Sequence, residues 1–193
     1  MTVSREELKQ FLTTHGVSAG DASAVLAELE AYFQQAEAGR FVFDPKVDRE
    51  EAKRAISLAI GKPVGEVLLV SAASASGSLE DLTSQRKQED IFSHTLRLYD
   101  FLSDRLGDDL WGCLWGDLWY ILGESLEDSL VQSGLGDTSQ DSLWFTIFYY
   151  VGSVLVGEKE EAAKLVPLIR LQSRNPVFGK MPGMADTWVV FTA

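Results

Sequence analysis

The chain has 193 residues, 46% hydrophobic and 24% charged, which is the balance of a globular protein with room for one ordinary domain. Asp and Glu number 29 against 17 Lys and Arg, a formal charge of −12. That excess argues against nucleic acid, whose phosphates need a basic surface, and against anionic membrane, and it suits a soluble protein or one whose partner is basic.

The N-terminal "MTVSREELKQ" runs straight into charge with no apolar signal-peptide core, so the expected compartment is the cytoplasm. Helix starts are legible along the chain. Ser4 with Glu7, Ser18 with Asp21, Asp48 with Glu51, Ser78 with Asp81 and Thr138 with Asp141 each set a capping side chain three residues before an acid. The first helix carries Leu8, Phe11 and Leu12 and stops near Gly16. The second carries Val25, Leu26, Leu29, Tyr32 and Phe33 and stops near Gly39. Both have the three-and-four spacing of one buried stripe. "FVFDP" is a short extended link ending at Pro45. A third helix runs from Asp48 to about Ile60, with Ala52, Ala55, Ile56 and Ala59 inward and Gly61 and Pro63 as its stop.

Residues 64–78 are ambiguous: "EVLLVS" suits a strand or a short helix, and "SAASASGS" reads as linker or mobile loop. The expected organisation is a single domain over 1–193. A subdivision, if the chain has one, separates a helical part (1–62), a loop or linker (63–84) and an aromatic-rich helical core with a β tail (85–193).

A long helix from about Gln85 to Leu106 follows, with Ile91, Phe92, Thr95, Leu98, Tyr99 and Leu102 along one side. Gly107 stops it and Asp108 caps the next. That next helix is "LWGCLWGDLWYILGESLEDSL", with leucine at every fourth position from Leu110 to Leu130. At about 100° per residue, six leucines sweep about 200°, which predicts a central helix with neighbours on several sides, the 85–106 and 141–156 helices among them. "SGLGD" (133–137) is a turn. The apolar run 142–157 has 16 residues, short of the roughly 20 a bilayer span needs, so it reads as a buried core helix. Another helix covers 158–171, with Pro167 expected to bend it. "TWVVFT" in the tail is β-branched and aromatic. The fold class expected is mainly α: one helical bundle or stacked helical hairpins of six to seven helices, with a short C-terminal β strand or hairpin.

Opposite the leucines, Asp109, Asp117, Glu124, Glu127 and Asp128 gather within about 100° of arc. From Gly107 to Gly157 there are eight acids and no Lys or Arg. This face reads either as a solvated surface or as a contact surface for a basic protein partner. A straight helix offers too few convergent oxygens for a hard cation, and no metal site is assigned. The tryptophans read as core, as an exposed partner patch, or as the lining of a pocket built from Asp108, Trp111, Trp115, Trp119, Tyr120 and Trp144.

No His-Glu-x-x-His, paired Cys-x-x-Cys, phosphate-binding loop or nucleophile elbow is present. Cys113 is the only cysteine, so an internal disulfide is excluded. A Cys–His mechanism would have to pair it with His15 or His94, and each has a simpler place on a helix. No catalytic residue and no cofactor are assigned. The function expected is that of a non-catalytic acidic helical protein mediating protein–protein interaction, inhibitor- or immunity-like, with a basic partner. The alternative is a small-molecule-binding or enzymatic domain with an aromatic-lined pocket near residues 108–120 and 144–150.

Overall fold

The computed structural model describes residues 5–39, 43–71, 91–123, 137–175, 178–180 and 186–192, with backbone alone at 91–99, 137–142 and 178–180. Four helices come first: α1 (Arg5–Thr14), α2 (Ala19–Glu28), α3 (Glu30–Glu37) and α4 (Arg49–Ile60). Strand β1 (Glu66–Ser71) follows. Then come α5 (Ile91–Leu118), continued by a π-helical turn (Trp119–Gly123), α6 (Asp137–Leu155) and α7 (Lys159–Arg174). Strands β2 (Phe178–Lys180) and β3 (Thr187–Thr192) close the chain. The fold is mainly helical with a short C-terminal strand, as the patterning predicts.

Local chemistry accounts for the boundaries. The Ser18 hydroxyl accepts from the Asp21 amide at 3.0 Å and the Asp48 carboxylate from the Glu51 amide at 2.8 Å, so two of the expected caps start α2 and α4. The Ser4 and Ser78 caps, and the Thr138 side chain, lie outside the described residues. Gly61 ends α4 in the left-handed region at φ 68°, where a Cβ would be strained.

One boundary differs from expectation. The stretch from Val25 to Phe33 is two helices, not one, because Leu29 (φ −88°, ψ 3°) leaves the helical region. Its amide turns to the carbonyls of Val25 and Ala27, closing α2, and its fully buried side chain holds the turn in the core. Neither Gly nor Pro marks the place.

"EVLLVS" is a strand. β1 pairs parallel with β3, from Glu66 opposite Thr187 to Ser71 opposite Thr192. β2 pairs antiparallel with β3 on the other edge, giving the order β1-β3-β2. The tail hairpin is thus present and is extended by a strand from the middle of the chain. Thr187 to Phe191 are all buried, as a central strand covered on both faces should be. The Asp186 carbonyl accepts from the amides of Gly65 and Glu66 at 3.0 and 3.1 Å and so starts the parallel pairing.

The helical core is organised on α7, which packs against α2, α3, α4 and α6. Ala162, Leu165, Leu168, Ile169 and Leu171 supply its buried stripe. Pro167 sits inside it, yet the helix continues to Arg174, beyond the expected end at Leu171. Asn175 follows immediately and is fully buried. Its Nδ2 donates to the carbonyls of Phe191 (2.8 Å) and Asp44 (3.2 Å), tying α7 to β3 and to the link before α4. Among the described residues no helix is long and apolar enough to cross a membrane. Asn175→Ala removes the donor from two carbonyls, and the expected loss is about 2 kcal/mol of stability, read as a lower urea midpoint at unchanged slope.

Candidate interaction site

Of the predicted site residues, Asp108, Asp109, Trp111, Trp115 and Asp117 lie on the second half of α5, Trp119 and Tyr120 on the π-helical turn after it, and Trp144 on α6. Gly107 breaks α5 with φ 68° and ψ 164°, the stop expected there, so its two halves meet α6 separately. They converge on Gly152: a Cβ at this position would lie 3.0 Å from Leu102 Cδ1 and 3.2 Å from Leu114 Cδ2. A glycine on α6 therefore lets one leucine from each half of α5 close onto its backbone.

Leu114, Leu118 and Leu122 are buried and Leu110 is partly so. Leu126 and Leu130 lie outside the described residues. Four leucines over twelve positions sweep about 120° on an ideal helix, the width of an ordinary buried stripe. Over the described turns this helix buries one face and exposes another, and the wider sweep expected rests on Leu126 and Leu130. The π-helical turn from Trp119 to Gly123 widens the spiral where the stripe would have drifted further. The Tyr32 hydroxyl, from α3, donates to the Leu122 carbonyl in this turn at 2.6 Å. Tyr32 is fully buried, and desolvation raises its pKa, keeping it a neutral donor.

The tryptophans spread across the seam between α5 and α6. Trp144 is 2% exposed and takes the edge of Trp119 at 4.9 Å between centroids. Trp111 and Trp115 each meet Phe148 edge-on at 5.2 Å. The core reading fits Trp144. Trp111 and Trp119 are half-buried, whereas Trp115 is 44% and Tyr120 65% exposed. The Trp119 ring lies over Gly123, where a Cβ would stand 2.3 Å from it.

Asp108, Asp109 and Asp117 are exposed on this half-helix. Gly112 and Gly116 are exposed too, with open space where a Cβ would be. By helical geometry these five residues share an arc of about 200° with Trp115 and Tyr120. Glu124, Glu127 and Asp128 lie outside the described residues. Cys113 is partly buried on the same side. His15 closes α1 with its Nδ1 2.8 Å from the Phe11 carbonyl, the helix-end place expected for it, and the His94 side chain is outside the described set. Among the described residues no group of three His, Cys, Asp or Glu side chains gathers as a metal site.

A cavity of about 440 Å³ lies elsewhere, between α2, α6 and α7, and none of the sequence-selected residues lines it. Of its lining residues, Val25 and Tyr150 lie on segments that read as core from the sequence. The signal was a tyrosine hydroxyl inside an apolar run. No family model, curated protein or solved structure matches the chain.

Burial separates the tryptophans energetically. Trp144→Ala should cost about 3–5 kcal/mol, as deletion of a large core aromatic does, and Trp115→Ala well under half of that, in parallel denaturant titrations.

Proposed function

We propose that this chain is a non-catalytic acidic interaction protein of the cytoplasm, inhibitor- or immunity-like, that docks a basic protein through the exposed half of α5. The observation that carries the reading is the exposure of Trp115 and Tyr120 beside Asp108, Asp109 and Asp117. Aromatic anchors ringed by charge supply most of the binding energy in protein interfaces. Trp115 is braced from beneath by Phe145 and Phe148, with centroids at 5.8 and 5.2 Å, so it is held ready to bind at little entropic cost. Open space at Gly112 and Gly116 lets a partner approach its ring from the side.

The carboxylates set the sign of the partner. With no Lys or Arg between Gly107 and Gly157, no cation from this stretch competes with the partner's own. Such a face speeds encounter with a basic surface and rejects an acidic one. The same charge disfavours nucleic acid as a partner. Glu124, Glu127 and Asp128 belong to the proposed contact by their place on the sequence-derived face.

The two contributions predict separable defects. Capture from lysate with wild type, Asp109→Lys/Asp117→Lys and Trp115→Ala should show one set of partners lost from both variants, and that set should have basic isoelectric points. With such a partner purified, the charge reversal should slow association at least tenfold and flatten its salt dependence, while Trp115→Ala should chiefly speed dissociation. Identical partners in all three captures would sink the reading.

A further inference from the structure

The cavity between α2, the C-terminal half of α6 and the N-terminal half of α7 is independent of the α5 face. Its volume, about 440 Å³, falls within the roughly 300–1,000 Å³ of small-molecule sites. Val25 and Ala162, at 2% and 4% exposed, form an apolar floor, and Val154 and Val166 rise beside it. Two ion pairs join α2 to α7 along the opening: Asp21 with Lys159, at 3.0 Å, and Glu28 with Arg170. Asp21, Glu28 and Lys159 all line the cavity.

The observation that points to a ligand is Tyr150. It lines the cavity and is only 4% exposed, yet among the described residues its hydroxyl has no hydrogen-bond partner. The hydroxyl oxygen itself is reached from the cavity, so an acceptor in the cavity can take its hydrogen bond in place of water. Burial first, and then the Glu28 carboxylate, push its pKa up to about 12, against the opposing pull of Arg170. It therefore keeps its proton at neutral pH and stands as a donor.

We infer that this cavity binds a small, uncharged, largely apolar molecule whose carbonyl oxygen accepts a hydrogen bond from the Tyr150 hydroxyl. The apolar floor takes the hydrocarbon part. The charge beside the hydroxyl fixes the rest of the specificity. Glu28 lines the cavity while its partner Arg170 does not, so a ligand carboxylate brought to the same hydroxyl would meet a like charge first, whereas a neutral ketone, ester or amide would not. The two ion pairs are already formed and leave no free cation among the lining residues for an anionic ligand.

The test uses 2-octanone and octanoate as probes, with dissociation constants from ligand-observed NMR on the full chain. The ketone should bind wild type with at least tenfold preference over octanoate. Tyr150→Phe removes only a hydroxyl that no described residue uses, so its thermal midpoint should hold or rise while ketone affinity falls about tenfold. Ala24→Trp, at an exposed lining position, should abolish ketone binding by filling the cavity without entering the core. Equal ketone affinity in wild type and Tyr150→Phe overturns the inference. So does tighter binding of octanoate, ketone binding that survives Ala24→Trp, or no ketone binding to wild type at millimolar concentration.

Discussion

The packing of α7 is the constraint on which the rest depends. A helix formed from residues 159–174 is covered by α2, α3 and α4 from the start of the chain and by α6 just before it. Its own end is fixed by Asn175, whose buried amide bridges β3 and the link before α4. The amide is the only side chain in this junction that satisfies backbone carbonyls from two distant segments at once, among the described residues. Burying the amide nitrogen so deeply is tolerable because it is hydrogen-bonded, and those same bonds bring the C-terminal sheet against the helices.

The exposed face of α5 follows from a different device. Gly107 divides α5, and Gly152 admits Leu102 from one half and Leu114 from the other. The second half then lies along α6 through a single leucine stripe. Its tryptophans lean over the seam to meet Trp144 and Phe148 and are only partly covered. What remains outward is an arc of acids, glycines and two exposed aromatics. The Tyr32 hydroxyl secures the far end by satisfying a carbonyl in the π-helical turn.

The cavity shows how surface ion pairs shape a site without contributing much to stability. Arg170 is 55% and Lys159 76% exposed, so solvent screens each bridge from α2 to α7 and leaves it little weight in stability. Lys159 lowers the pKa of Asp21 by hydrogen bonding first, with help from the Ser18 hydroxyl. What the pairs fix is the charge of the opening. The apolar floor and the buried phenol beneath are set by the core spacing of α2, α6 and α7.

Helix identity was legible in the sequence because it rests on local causes. Ser18 and Asp48 cap within three residues, Gly61 and Gly107 take positive φ, and the stripe of Ala52, Ala55, Ile56 and Ala59 faces inward whatever its partner. The acids at 109 and 117 were equally readable as exposed, since unpaired charge is rarely buried. Tertiary structure decided the rest. "EVLLVS" is a strand because β3 offers it an edge from 121 residues further along, with Glu66 opposite Thr187. The break at Leu29, the exposure of Trp115 against the burial of Trp144, and the cavity under Tyr150 depend on which faces meet. A pattern of apolar residues specifies that a face is buried and leaves unstated against what, so contacts between distant elements, and the spaces left between them, belong to the folded chain alone.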